Sequence, residues 1–156
     1  MTLLLDTHVW LWAVEAPEKL GQRTKALLLK CDNNRLVSAI SALEIVRLCL
    51  DERMIISVNP KKWIEDSAGD LRLQHVDLDY TIAVEAYSLP DPFHRDPADR
   101  ILVATARSYQ ATLLTARRAN PGVPSCQDGR LQIVNESMRS ACHVPCSAFA
   151  DKKYES

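Results

Sequence analysis

Short apolar runs alternate along this chain with longer stretches in which apolar residues recur every three or four positions. Leu3-Leu4-Leu5 is the first run, uninterrupted by polar residues as in a strand buried on both faces, and Asp6-Thr7 closes it. A helical stretch over residues 8–14 follows, which predicts Asp6 at a strand-to-helix junction. Residues 17–30 are predicted as a second helix, with Leu20, Leu27 and Leu28 on its apolar side and Cys31-Asp32-Asn33-Asn34 as a polar stop. A strand over 35–39 comes next.

Ser41-Ala42-Leu43-Glu44 has the form of a capping box, and Ile45, Leu48 and Cys49 continue it at helical spacing, so Glu44 is expected in a first helical turn. The pattern then predicts a helix after Pro60, a short strand at 75–78, and a helix capped by Asp79 that runs towards Leu89. Asp96-Pro97-Ala98-Asp99 opens the best-defined helix. Asp96 suits the N-cap and Pro97 the first helical position, and Ile101, Leu102, Thr105, Ala106 and Tyr109 follow periodically. Asp99 falls in that first turn. Strands over 111–115 and 131–134 complete the series, the latter after Asp128-Gly129.

Strands that alternate with helices imply βαβ units, so the fold class is α/β with a mostly parallel central sheet flanked by helices. In such a sheet the loops leaving the carboxyl ends of the strands share one edge, where ligands bind. Asp6, Glu44 and Asp99 all belong near that edge. Two carboxylates about 4 Å apart repel by about 4 kcal/mol at an effective dielectric of 20, so a shared acidic site calls for a cation. Magnesium or manganese prefers hard oxygen ligands and suits phosphate chemistry. Each acid also has a purely structural reading: Asp6 and Asp96 as N-caps, Glu44 as the partner of Ser41 in its capping box. Spacing alone leaves both readings open.

Bulk properties narrow the classes. A chain of 156 residues, 47% of them hydrophobic, fits one main core. We read residues 1–135 as that domain and 136–156 as a C-terminal extension of unknown structure. The net charge of -1, from 19 basic and 20 acidic residues, gives no global positive field, so any RNA contact must be local. No signal-peptide pattern opens the chain and no apolar run approaches the roughly 18 residues of a membrane span, so a cytoplasmic protein is expected. The five cysteines are expected as thiols, and Cys142-His143-Val144-Pro145-Cys146 falls short of a zinc ligand set. A P-loop and a G-x-G-x-x-G are absent, Ser41 lacks a nucleophile elbow, and His8 stands where an aspartyl phosphatase needs a second Asp. Arg95, Arg100, Arg107, Arg117 and Arg118 are candidate phosphate contacts, with a solvated surface position as the expected role of each. Trp10, Trp12 and Trp63 are expected to pack rather than to stack on bases. His8 and His94 lie near the acids but receive no role.

Three blocks then carry a resemblance. Leu3-Leu4-Leu5-Asp6-Thr7-His8 with Leu11-Trp12, Val37-Ser38-Ala39-Ile40-Ser41-Ala42-Leu43-Glu44-Ile45, and the stretch from His94 through Asp96-Pro97-Ala98-Asp99-Arg100-Ile101-Leu102 to Ala106 closely resemble PIN-domain ribonucleases, in particular VapC-like toxins of type II toxin–antitoxin systems. The resemblance implies a PIN-like fold and metal-binding, catalytic acids at Asp6, Glu44 and Asp99. It also implies a hydroxyl at Thr7 beside the first acid and an auxiliary acid at Asp96. It implies a magnesium- or manganese-dependent endoribonuclease that cuts structured RNA, forms a homodimer and is silenced by a cognate antitoxin. The chain departs from the family where a fourth acid is expected two residues after Thr115, since Arg117 stands there. Loss of a second metal, substitution by Asp96 or Asp128, and a degenerate domain that binds RNA or an antitoxin without cutting all follow as alternatives.

Overall fold

The computed structural model describes residues 1–89, 96–116 and the backbone of 133–135. A five-stranded sheet, parallel at every pairing, has the order β3-β2-β1-β4-β5. Its strands are β1 (Thr2–Leu5), β2 (Asn34–Ser38), β3 (Leu73–Val76), β4 (Thr112–Thr115) and β5 (Ile133–Asn135). The helices are α1 (Thr7–Glu15), α2 (Gln22–Leu29), α3 (Ala39–Leu50), α4 (Pro60–Asp70), α5 (Tyr80–Tyr87) and α6 (Pro97–Ser108). The Cys142–Cys146 segment and the rest of the C-terminal extension lie outside the described residues, as do Arg117 and Asp128.

The two faces of the sheet are covered by different helices. Alternation along β1 sends Leu3 and Leu5 to one face, where they join Val9 and Trp10 of α1, Ile45 of α3 and Trp63 and Ala68 of α4. Leu4 points the other way, with Leu36 and Leu113, into Ile82 and Ala86 of α5 and Leu102 and Ala106 of α6. Leu3, Leu4 and Leu5 are all fully buried, which is why their run shows no polar alternation.

Several boundaries differ from the sequence reading: the strand expected at 75–78 lies two residues earlier, at Leu73–Val76, and the last strand is described at Ile133–Asn135 rather than 131–134. The expected helix at 17–30 is broken: Pro17–Lys19 forms a single 3₁₀ turn, Leu20 is extended and buried, and α2 starts only after Gly21. Leu20 keeps its place in the apolar pattern without being helical. At α3 the helix starts earlier than the capping-box motif suggests. Ser38, at the end of β2, is the N-cap and accepts from the Ile40 N–H, so Ser41 is already inside the helix and Glu44 lies in its second turn.

Among the described residues, the three outside glycine with positive φ stand just past helix C-caps: Glu52 (55°), Arg72 (51°) and Gln110 (48°). After α3 the Arg53 N–H reaches the Leu48 carbonyl and the Glu52 N–H reaches that of Cys49, a Schellman turn in which a left-handed residue satisfies the last carbonyls. It folds Arg53 back against the end of α3.

Candidate metal centre and cleft

The strand order reverses direction at β1: β2 lies on one side of it and β4 on the other, so the crevice at the carboxyl ends of these strands is a topological switch point. Asp6 stands there. Its backbone N–H donates to Leu114 at 2.9 Å, continuing the β1–β4 ladder by one residue. Although Asp6 occupies the N-cap position of α1, its side chain makes no capping bond. Instead Oδ2 accepts from the Thr115 hydroxyl at 2.6 Å. The residue is 3% exposed and forms no ion pair with Lys, Arg or His among the described residues. A carboxylate so buried is costly unless something compensates its charge. The simple N-cap reading of Asp6 therefore does not describe this geometry.

Thr7, fully buried at the first position of α1, donates its hydroxyl to Glu44 Oε2 at 2.5 Å. Adjacent residues thus tie the end of β1 to α3, while Thr115 ties it to β4. Glu44 is half-buried and lines a cleft of about 550 Å³ with Thr7, His8 and Asp96, between α3 and the first turns of α1 and α6. A capping box with Ser41 is excluded by the helix start, so Glu44 is freed for this position.

Asp96 caps α6 as expected, accepting from the Ala98 N–H at 3.0 Å, and it faces the cleft as well. Asp99 is half-buried in the first turn of α6, directly after the cleft residues Pro97 and Ala98, but neither it nor Asp6 lines the cleft itself. Among the described residues no three Asp, Glu, His or Cys side chains converge into a complete cage for a metal ion. The cleft presents the carboxylates of Glu44 and Asp96 and the hydroxyl of Thr7, together with the imidazole of His8. Such oxygen ligands suit magnesium or manganese and do not suit a soft metal. The N-termini of α1 and α6 favour negative charge nearby.

The arginines divide in a way that spacing did not foretell. Arg100 lies over the Tyr87 ring, 5.5 Å from its centroid, and donates to the Ala86 carbonyl, while Arg107 pairs with Glu85 at 3.0 Å. Both are engaged with α5. Arg95, Arg117 and Arg118 lie outside the described residues, as does His94. The cleft instead holds Arg47 and Arg53, and Arg47 pairs with Asp51 at 3.6 Å. The tryptophans pack: Trp10 is fully buried against Trp63, centroids 5.6 Å apart, and Trp63 donates Nε1–H to Glu15. Trp12 is half-buried and edge-on to His8.

Comparison with known proteins agrees with this architecture. The PIN domain family matches residues 3–117. Ribonuclease VapC22 of Mycobacterium tuberculosis (strain ATCC 25618 / H37Rv) is 32% identical over 117 residues, which cover 75% of this chain and 88% of that protein. The chain belongs to the PIN-domain family, in its VapC-like branch. Solved structures share the fold. VapBC2 from Rickettsia felis, bound to a DNA fragment from its promoter, superposes with a TM-score of 0.61 at 16% identity over 86% of this chain and 98% of that one. FitAB bound to an IR36 DNA fragment gives 0.56 at 20% identity, over 92% and 100%. A toxin–antitoxin complex from Klebsiella pneumoniae gives 0.54 at 17%, over 77% and 93%.

For this PIN domain the sequence singled out Asp6, Thr7, Glu44 and Asp96 at the edge where they stand, and Asp99 one residue beyond the cleft wall. It missed the contact that holds Asp6, because the Thr115 hydroxyl matters only once β4 is known to lie beside β1. It also missed Arg53, whose place depends on the turn after α3.

Proposed function

We propose that this PIN domain is a metal-dependent endoribonuclease of toxin type, acting on structured RNA. The observation that carries the reading is Asp6, a buried carboxylate at the switch point of a parallel sheet, held by Thr115 and adjoining a cleft that presents Glu44 and Asp96. VapC22, similar over most of its length, is named a ribonuclease.

Asp6, Glu44 and Asp99 would hold magnesium or manganese, which supplies Lewis-acid chemistry: it offsets phosphate charge and makes water more acidic. The protein's own groups do the positioning. The Thr115 hydroxyl fixes the rotamer of Asp6, and the Thr7 hydroxyl fixes that of Glu44, each through a hydrogen bond to a carboxylate of the kind that orients a metal ligand. Asp96 caps the first turn of α6, the turn that carries Asp99.

The partner reading rests on α3. Leu43, Val46 and Leu50 are exposed apolar residues on that helix, and Ile55 follows in the loop after it at 95% exposure. Half-buried Trp12 and Leu48 continue the apolar surface. Such a surface suits an antitoxin segment or a second copy of the chain. The toxin–antitoxin complexes among the structural neighbours support the first, and a homodimer is the second. Light scattering of the purified protein is expected to give twice the monomer mass, and a monomer at all concentrations would count against the dimer. Among the described residues no helix is long and apolar enough to cross a membrane, in keeping with action on cytoplasmic RNA.

The test is cleavage of a pool of transfer and ribosomal RNA by the full chain with manganese, with magnesium and with EDTA. Cutting with either metal, lost in EDTA and in the folded variants Asp6→Asn, Glu44→Gln and Asp99→Asn, is the expected result. A folded wild type that cuts nothing under any metal would overturn the nuclease reading and favour a domain that binds without cutting.

A further inference from the structure

His8 is two residues from Asp6 and lines the same cleft as Glu44, and its ring is oriented in a definite way. Nδ1 is buried and has no hydrogen-bond partner, whereas Nε2 is not among the buried unpartnered atoms and forms no hydrogen bond among the described residues. The ring is held edge-to-face by Trp12, centroids 6.3 Å apart at 74°. Nε2 is therefore the ring nitrogen left available to a ligand. A buried N–H without an acceptor is rarer and costlier than a buried acceptor without a donor, so the neutral ring carries its proton on Nε2.

Arg53 completes the picture at the exposed rim. The Schellman turn after α3 brings it to the cleft, and it has no ion pair or side-chain hydrogen bond among the described residues. The other cleft arginine, Arg47, is paired with Asp51. Glu52, forced to φ 55° by that turn, holds the chain in a conformation in which a side chain is disfavoured, and the turn sets where Arg53 emerges. His8 and Arg53, the latter without an ion pair among the described residues, line the same cleft of about 550 Å³, whose carboxylates are Glu44, Asp51 and Asp96, and both are groups that suit phosphate oxygens.

We propose that His8 and Arg53 form a phosphate-holding subsite, in which His8 Nε2–H donates to a non-bridging oxygen of an RNA phosphate and Arg53 neutralises that phosphate or the next along the strand. The proposal rests on the nuclease reading for its ligand, RNA. It gives the cleft a strand-positioning role separate from the acids. Both residues are substrate-contacting, and neither is assigned to bond cleavage.

The test uses fluorescein-labelled transfer RNA and the full chain, with calcium present, and reads binding by anisotropy. Manganese-dependent cleavage of the same RNA is measured in parallel. Gln places its amide nitrogen close to where His carries Nε2, whereas Asn and Phe do not. His8→Gln is expected to bind within about twofold of wild type, and His8→Asn and His8→Phe roughly three- to tenfold more weakly, the loss of one hydrogen bond. Arg53→Gln is expected to weaken binding and to lower the slope of log Kd against log salt by about 0.7, one phosphate contact on a single strand. Equal binding by Gln, Asn and Phe variants at position 8, or an unchanged salt slope for Arg53→Gln, would overturn the subsite. A wild type that binds in this pattern but never cuts would overturn the nuclease reading and leave the subsite standing. A wild type that cuts while all four variants bind normally would do the reverse.

Discussion

On the α5–α6 side of the sheet, charged groups find partners inside the fold: Arg107 closes on Glu85, and Arg100 settles over Tyr87 and onto the Ala86 carbonyl. Across the sheet, on α1, β2 and α3, Ser41 Oγ, Trp10 Nε1, Arg35 Nε and His8 Nδ1 are buried without a partner, and Arg53 at the cleft forms no ion pair among the described residues. Buried polar groups are satisfied in most native proteins, so a concentration of exceptions on one side needs a reason. The reason offered by the geometry is that α5 and α6 are fixed by their own contacts. The α1–α3 side, by contrast, carries the cleft and the exposed apolar residues on which the proposed ligand and partner readings rest. Both sides meet at Asp6, among the described residues the one carboxylate buried at the seam.

That contrast can be broken by substitution. Asp6→Asn removes the charge at the seam while keeping the shape and an oxygen for Thr115, so cleavage is expected to fall by on the order of a thousandfold or more with an unchanged circular dichroism spectrum. Thr115→Val leaves Asp6 in place but unoriented. A loss of about 10- to 100-fold in activity or manganese affinity is expected, readable by kinetics and by calorimetry, and wild-type values would show that the 2.6 Å contact is incidental. Asp96 separates capping from charge: Asp96→Ala is expected to cost about 1 kcal/mol in a urea melt, whereas Asp96→Asn keeps the cap. If Asp96→Asn nonetheless lowers activity, Asp96 contributes its charge to the cleft. The smallest effect belongs to the α5–α6 side. Arg107→Ala breaks a pair whose side chains are about 30% exposed and is expected to cost at most about 1 kcal/mol, with RNA cleavage unaltered.

Much of this arrangement can be read along the chain, because parallel strands buried on both faces announce themselves. The unbroken Leu3-Leu4-Leu5 run and the Asp96-Pro97 start of α6 placed Asp6 and Asp99 correctly. Glu44 was assigned to the right edge for a partly wrong reason. Ser41 and Glu44 have capping-box spacing, but Ser38 ends β2 three residues earlier and takes the cap, because a parallel strand paired on both sides fixes where the helix must begin. The break at Leu20 escaped periodicity for a related reason: an extended residue can bury its side chain at the position a helix would have used. What spacing could not supply was anything that depends on two elements meeting. Thr115 on Asp6, Thr7 on Glu44 and Arg53 in the cleft are each products of strand order or turn geometry.

The central claim is that Asp6 anchors a site for a hard divalent cation at the carboxyl edge of the sheet. Manganese binding to the full chain, followed by electron paramagnetic resonance of the free ion, tests this without reference to RNA. The account predicts saturable binding in wild type that is weakened at least tenfold in folded Asp6→Asn, and unaffected in Arg107→Ala. Equal manganese binding by wild type and Asp6→Asn would contradict it.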